Sequence, residues 1–196
     1  MFRNKMFKAI FILLCFVSLS LAQSGNKVGV GIAIVDIQQF FEMIISQGSG
    51  MTATLTLPIE MSPSFRIEPE FGYFRASVEN KNAVTQTETV TNWRIGAGLF
   101  PQKTYDKFVL YYGARIGYIS QTQTDEVNGS KEEATTTGFY IAPAIGGEHF
   151  LSDHFSLGGE AQLTIASLSS EREGSDYEQS ILLLNTRGLV FFRFYF

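Results

Sequence analysis

A serine, an aspartate and two histidines crowd into His149-Phe-Leu-Ser-Asp-His154. These are the residue types of a nucleophile, base and acid relay, so a Ser/His/Asp hydrolase must be weighed. Such a relay needs its three side chains to converge on one point. Ser152 and Asp153 instead read as a tight turn, in which neighbouring side chains diverge, and Asp153 is better explained as turn chemistry. The chain has 2 histidines, both in this stretch, so no further imidazole base is available elsewhere. No metal-ligand spacing, phosphate loop or dinucleotide fingerprint is present, and no cofactor is expected.

A second constellation is larger. Arg66, Glu68, Glu70, Arg94, Arg115, Glu148, Glu160, Arg187 and Arg193 all fall on one side of a period-two alternation. Side chains alternate faces along a strand, so this parity describes one charged face of a sheet. Five cations against four anions is close to balance. If that face encloses a narrow lumen, the charges must pair in a hydrogen-bonded network, because an unpaired buried charge is costly. Arginine suits the task, since its planar fork can bridge two carboxylates. The same set could line a narrow gated pore if the pairs rearranged.

The elements that position these charges are most legible at the C-terminus. In Asn185-Thr-Arg-Gly-Leu-Val-Phe-Phe-Arg-Phe-Tyr-Phe196, the residues Val190, Phe192, Phe194 and Phe196 share one parity, with Leu184 just before them. Asn185, Arg187, Arg193 and Tyr195 share the other. Seven further alternating segments precede it: Val28 to Val35, Thr52 to Ile59, one starting at Phe65, one ending at Phe100, and others starting at Phe108, Phe139 and Phe155. Short connections are expected at Met61-Ser-Pro-Ser64, Pro101 to Asp106 and Leu151-Ser-Asp-His154. Long ones are expected at Asp36–Gly50, Val78–Val90, Gln121–Thr137 and Ser167–Gln179, which hold most of the remaining charge. Pro69 and Pro143 fall inside segments, where they remove ladder bonds and suggest local bulges.

Residues 1–22 read as a secretory signal: Arg3, Lys5 and Lys8, then an apolar run from Ala9 to Leu21, then the small-residue site Ser20-Leu21-Ala22. The run is too short for the ~20 residues of a membrane-spanning helix. The mature chain, residues 23–196, would lose the single cysteine, Cys15, and with it any disulfide framework or thiolate site. Without the three basic signal residues the charge balance is 12 Lys+Arg against 19 Asp+Glu, net −7, which leaves no basic footprint for nucleic acid.

An apolar face on every strand, with no apolar helix to span a bilayer, leaves a closed barrel as the membrane-compatible solution. Alternating short and long connections place the short turns and both termini at one end and the long loops at the other, as in bacterial outer-membrane barrels. Aromatic positions agree. Phe65, Phe108, Phe155 and Phe196 sit beside the short turns, and Tyr73, Trp93, Tyr118 and Phe139 beside the long ones. From Phe108 to Tyr118 is ~33 Å along a strand, or about 25 Å of height at a tilt of roughly 40°, the spacing of two aromatic girdles. The expectation is an all-β fold: an eight-stranded, antiparallel, up-and-down transmembrane β-barrel over residues 23–196. A lipocalin-like soluble barrel would instead leave Arg and Glu outside, with lysine expected among them.

Two stretches carry a family resemblance: Ala142-Pro-Ala-Ile-Gly-Gly-Glu-His-Phe-Leu-Ser-Asp-His-Phe-Ser-Leu-Gly-Gly-Glu160 and Arg193-Phe-Tyr-Phe196. The chain resembles the small outer-membrane β-barrels of the OmpA type and the opacity-protein type, over essentially its whole mature length. The resemblance implies insertion in the outer membrane of a Gram-negative bacterium, in contact with its lipid. It also implies that Phe192, Phe194 and Phe196 form the C-terminal signal recognised by the barrel-assembly machinery. The family is functionally mixed, so an activity does not follow. Lipid A deacylases and palmitoyltransferases are barrels of this size, but they work at the outer leaflet, whereas His149 and His154 fall at the short-turn end.

One stretch breaks the period of two. Ile37, Phe40, Phe41, Ile44 and Ile45 follow a helical spacing behind Asp36 and Gln39, which resemble a capping box. They predict a short amphipathic helix in the first outer loop, with strand extension as the alternative. The expected function is a non-enzymatic, monomeric barrel with a side-chain-filled lumen, structural in the envelope or contacting an unknown surface ligand through its long loops. A narrow porin-like channel and an outer-leaflet lipid-modifying enzyme are the alternatives.

Overall fold

The computed structural model of the chain describes residues 27–36, 53–81, 85–172 and 178–196. The signal expected over 1–22 and the helical stretch Ile37, Phe40, Phe41, Ile44 and Ile45 lie outside these residues. The strands are β1 (Lys27–Asp36), β2 (Ala53–Thr56), β3 (Ile59–Ser62), β4 (Phe65–Lys81), β5 (Thr85–Tyr105), β6 (Phe108–Val127), β7 (Ser130–Phe150), β8 (Phe155–Arg172) and β9 (Glu178–Tyr195). From β3 onward consecutive strands pair antiparallel, and β1 also pairs with β9, which closes the sheet on itself.

β2 and β3 are two halves of one stave, since each pairs with both β1 and β4. The result is eight staves. A row of cross-strand partners can be followed from Leu182 through Ser167, Phe139, Tyr118, Ile95, Phe71, Leu55 and Ile32. It returns to β9 at Phe192, ten residues beyond its start. That offset is the shear of the barrel, and in an eight-stranded ring it requires strands tilted by roughly 40°.

The expected single segment Thr52 to Ile59 is split at Leu57-Pro58, and proline chemistry explains the split. Leu57 N–H donates to the carbonyl of Pro69 at 2.9 Å, but Pro69 has no N–H to return. On the other side Gly29 N–H donates to the carbonyl of Pro58 at 2.8 Å, again without return. Pro69 and Pro143 were expected to form bulges. Neither does: pairing runs in constant register through Pro69↔Ala97 and Ala114↔Pro143. Each proline keeps one ladder intact and interrupts the other. For Pro143 the interruption faces β8, where the pairing skips from Ile141↔Ile165 to Ala144↔Gln162. The register shifts fall elsewhere, between Ala33 and Val35 and between Glu60 and Ser62.

Four of the expected connections are largely strand instead. Pro101 to Tyr105 continues β5, and the chain reverses at Asp106, whose φ is 51°. Most of Val78–Val90, Gln121–Thr137 and Ser167–Gln179 prolongs its hairpin outward. The β6–β7 tip is Asn128-Gly129, with φ of 51° and 84°, a primed turn that holds two strands in tight register. From Tyr118↔Phe139 the pairing runs nine residues further to Val127↔Ser130, about 30 Å at ~3.3 Å per residue. Threonine is frequent in the first two of these extensions and absent from the third, and its branched side chain favours the pleated surface even when both faces are wet. The Leu151–His154 turn falls where expected.

Candidate functional site

The parity of each strand sends one set of side chains outward and the other into the ring. Outward lie large apolar groups such as Ile145, 55% exposed, and Phe139, 73% exposed. Inward, Arg66, Glu68, Arg115, Glu148 and Arg193 keep side-chain exposures of 0–1%. Charged groups are therefore among the most buried parts of this protein, and apolar groups among the most exposed.

The inward groups form one connected chain. Arg115 grips Glu160 with a fork, Nε to Oε1 at 2.6 Å and Nη2 to Oε2 at 2.7 Å. The same Nη2 reaches Glu68 Oε1 at 2.5 Å, while Nη1 faces Glu70 Oε2 at 3.2 Å. Glu68 Oε2 accepts from Arg193 Nη2 at 2.6 Å, and Arg193 Nη1 continues to Glu148 Oε2 at 3.1 Å. Arg66 Nη1 completes the line on Glu148 Oε1 at 2.5 Å. A branch at Glu70 takes Arg94 Nη2 at 3.1 Å. Arg187 donates to Thr54 Oγ1 at 3.2 Å. All nine residues singled out from the sequence point inward, and eight of them join by these ion pairs.

Neutral groups complete the coordination of the carboxylates. The hydroxyls of Tyr111, Tyr140 and Tyr195 donate to Glu160, Glu70 and Glu148 respectively. Ser156 adds a bond of 2.9 Å to Glu148, and Gln162 one of 2.7 Å to Glu160. Each shares the inward parity of its strand, but nothing in their spacing marks them as hydrogen-bond donors to the acids. The guanidinium faces rest on aromatic rings: Arg66 over Tyr111 and Arg193 over Phe191, each at 3.8 Å, and Arg94 over Tyr140 at 4.5 Å. Phe100, Tyr111, Ala33, Ala144, Leu189 and Phe191 form an apolar cluster inside the ring. Gly146 provides the space for the Tyr111 ring, which occupies the place a Cβ would take.

At the short-turn end the hydrolase geometry is not assembled. His154 Nδ1 is 3.0 Å from the carbonyl oxygen of Tyr195, and its ring stacks on Phe194 at 5.9 Å. Among the described residues no side-chain hydrogen bond joins His149, Ser152 and Asp153 into a relay. Ser156, inside the barrel, does donate to an acid, Glu148. Phe192, Phe194 and Phe196 face outward, with Phe155 stacked on Phe192 and Phe194 edge-on to Phe196. The amide of Phe196 still donates to the Val28 carbonyl, so pairing persists to the last residue. The described residues contain no group of His, Cys, Asp or Glu able to hold a metal ion.

Comparison with known proteins places this geometry. Residues 9–186 match the family model described as the outer membrane protein beta-barrel domain. A major outer membrane protein from Thermus thermophilus superimposes with a TM-score of 0.54, covering 87% of this chain and 99% of that one at 11% identity. Ail, the attachment invasion locus protein of Yersinia pestis, in complex with the heparin analogue sucrose octasulfate, gives 0.53 over 87% and 99% at 10% identity. At such identities the likeness is one of fold. No curated protein matches the sequence.

Proposed function

The chain belongs to the outer-membrane protein β-barrel family and resides in the bacterial outer membrane, and from that premise we propose that it is a non-enzymatic barrel with a sealed lumen. One observation carries this reading: the unbroken line from Glu160 through Arg115, Glu68, Arg193 and Glu148 to Arg66, which crosses the interior with almost no solvent exposure. Opening a water path would separate several ion pairs at once, leaving charges uncompensated in a poorly solvated space. An eight-stranded ring is also just wide enough for side chains to fill. Reconstituted in planar bilayers, the protein is expected to show no steady unitary conductance. Regular discrete openings that persist across preparations would replace this reading with that of a narrow channel.

The role left to such a barrel is envelope support or contact through its outer hairpins. Ail binds a polysulfated heparin analogue in its crystal structure. The hairpin extensions here carry Glu88, Asp125, Glu126, Glu132, Glu133 and Glu171, so like-charge repulsion disfavours a polyanionic ligand. Delivery to the membrane would rest on the terminal aromatic face. Phe196→Ser is expected to cut the amount of heat-modifiable, folded protein in outer-membrane fractions severely. Full yield in that variant would remove Phe196 from the assembly signal.

A further inference from the structure

The outward face changes character at one level. Trp93, Tyr118 and Phe139 form a contiguous aromatic ladder, with ring centroids 5.6 Å and 5.2 Å apart. One outward position above them stand Thr91, Ser120 and Thr137, and the next row across the sheet is Thr91↔Thr122↔Thr135. Below the ladder the surface is apolar. Above it, for two outward positions on three adjacent strands, every side chain carries a hydroxyl; Ser120 is covered, 6% exposed, so the accessible hydroxyls are those of the threonines. Arg75 and Glu171 stand at the two ends of the Thr91–Thr135 row, and Glu133 stands one outward position above Thr135; these are the charged groups facing it among the described residues.

We propose that this hydroxyl belt and the aromatic ladder beneath it bind the sugar rings of the outer-leaflet glycolipid. The belt is continuous with the lipid-facing surface and rises directly from its aromatic rim, where sugar headgroups lie. The chemistry matches carbohydrate rather than phosphate. Neutral hydroxyls both donate and accept, as sugar hydroxyls do, whereas phosphate recognition calls for clustered arginine or lysine. Some of the belt's hydrogen bonds are already made, within it between Thr122 and Thr135 at 3.3 Å and to the neighbouring β4 between Thr89 and Ser77 at 2.9 Å. Each hydroxyl has further lone pairs for a ligand. The aromatic rings supply flat apolar faces of the kind on which the C–H face of a pyranose can rest. Threonine's high strand propensity would by itself account for a hydroxyl-rich extension. It would not account for the hydroxyls lying in rows directly above a contiguous set of tilted and edge-on aromatics.

The full chain would be refolded with rough lipopolysaccharide bearing a complete core, or with lipid A alone, and washed with detergent. Retained glycolipid per folded protein would then be measured by mass spectrometry. The wild type is expected to retain the core-bearing lipid about tenfold better than lipid A. The triple variant Thr91→Val/Thr122→Val/Thr135→Val, whose branched side chains preserve strand propensity, should lose that preference. Thr136→Val, on the inward face of the same sheet, should keep it. If the triple variant does not refold, Thr122→Val alone provides the comparison, with a smaller expected loss. Equal retention of the two lipids by the wild type, or an unchanged preference in the variant tested, overturns the proposal. So does a preference abolished by chelator and high salt, since that assigns binding to Arg75 or to cation-bridged acids.

Discussion

Replacement of Glu148 by leucine is expected to lower the unfolding free energy of the bilayer-inserted protein by ~3–5 kcal/mol. Glu148 accepts from Arg66, Arg193, Ser156 and Tyr195, and its side chain is fully buried. Removing it takes the nearest carboxylate from the buried Arg66 and leaves Arg193 to share Glu68. Attraction between the ions is only part of the effect; the larger part is desolvation of cations left behind. Tyr195→Phe provides the calibration, since it deletes one neutral donor to the same carboxylate and should cost ~0.5–1.5 kcal/mol. Urea titrations followed by fluorescence of Trp93, the chain's single tryptophan, would measure both. Equal and small effects from the two variants would show that the lumen is wetter than its geometry indicates.

Ile145→Arg addresses the opposite face. Ile145 pairs with Tyr112, between the aromatic levels of Phe108 and Tyr118, and its side chain points away from the ring. A guanidinium there meets hydrocarbon and should cost ~2–4 kcal/mol, whereas the same change at Thr124, above the outer aromatics, should cost ~0–1 kcal/mol. In detergent micelles, which deform around a charge more easily than a bilayer, the difference should shrink. An arginine tolerated equally at both positions in a bilayer would mean that this face does not contact lipid.

How much of this was legible in the residues differs from part to part. Parity alone put Arg66, Glu68 and Glu70 on one face of a strand and Ile67, Pro69 and Phe71 on the other, because period two is a strong constraint once both faces have distinct chemistry. The partners within the lumen were not legible. Arg115 meets Glu160, Glu68 and Glu70 on two other staves, and such long-range pairing follows from the shear, which no single strand reveals. The hairpin extensions are hidden for a different reason. Asp125-Glu126 and Lys131-Glu132-Glu133 resemble solvated loop, yet Asn128-Gly129 between them is a primed-turn dipeptide, and the threonines around it alternate as a strand does. Charge density tracks exposure to water, and a strand rising above a membrane is as wet as a loop. Pro69 and Pro143 suggest distortion by sequence alone, yet the register through each is constant. A proline that turns its missing donor toward one neighbour leaves the other ladder unbroken.

The pairing of β1 with β9 has a consequence for how the molecule comes into being. Gly29 meets Tyr195, so the seam joins the first described strand to the last. No part of the seam can form until the last strand has been made, whatever progress the intervening hairpins achieve. Until then the sheet has two open edges, each a row of unsatisfied donors and acceptors able to capture a neighbouring chain. Closure at so large a sequence separation also makes folding slow, because the entropy of bringing the ends together must be lost before the final ladder forms. The chain therefore spends its early life as an adhesive ribbon. Only pairing of its final residues with the first described strand removes both edges.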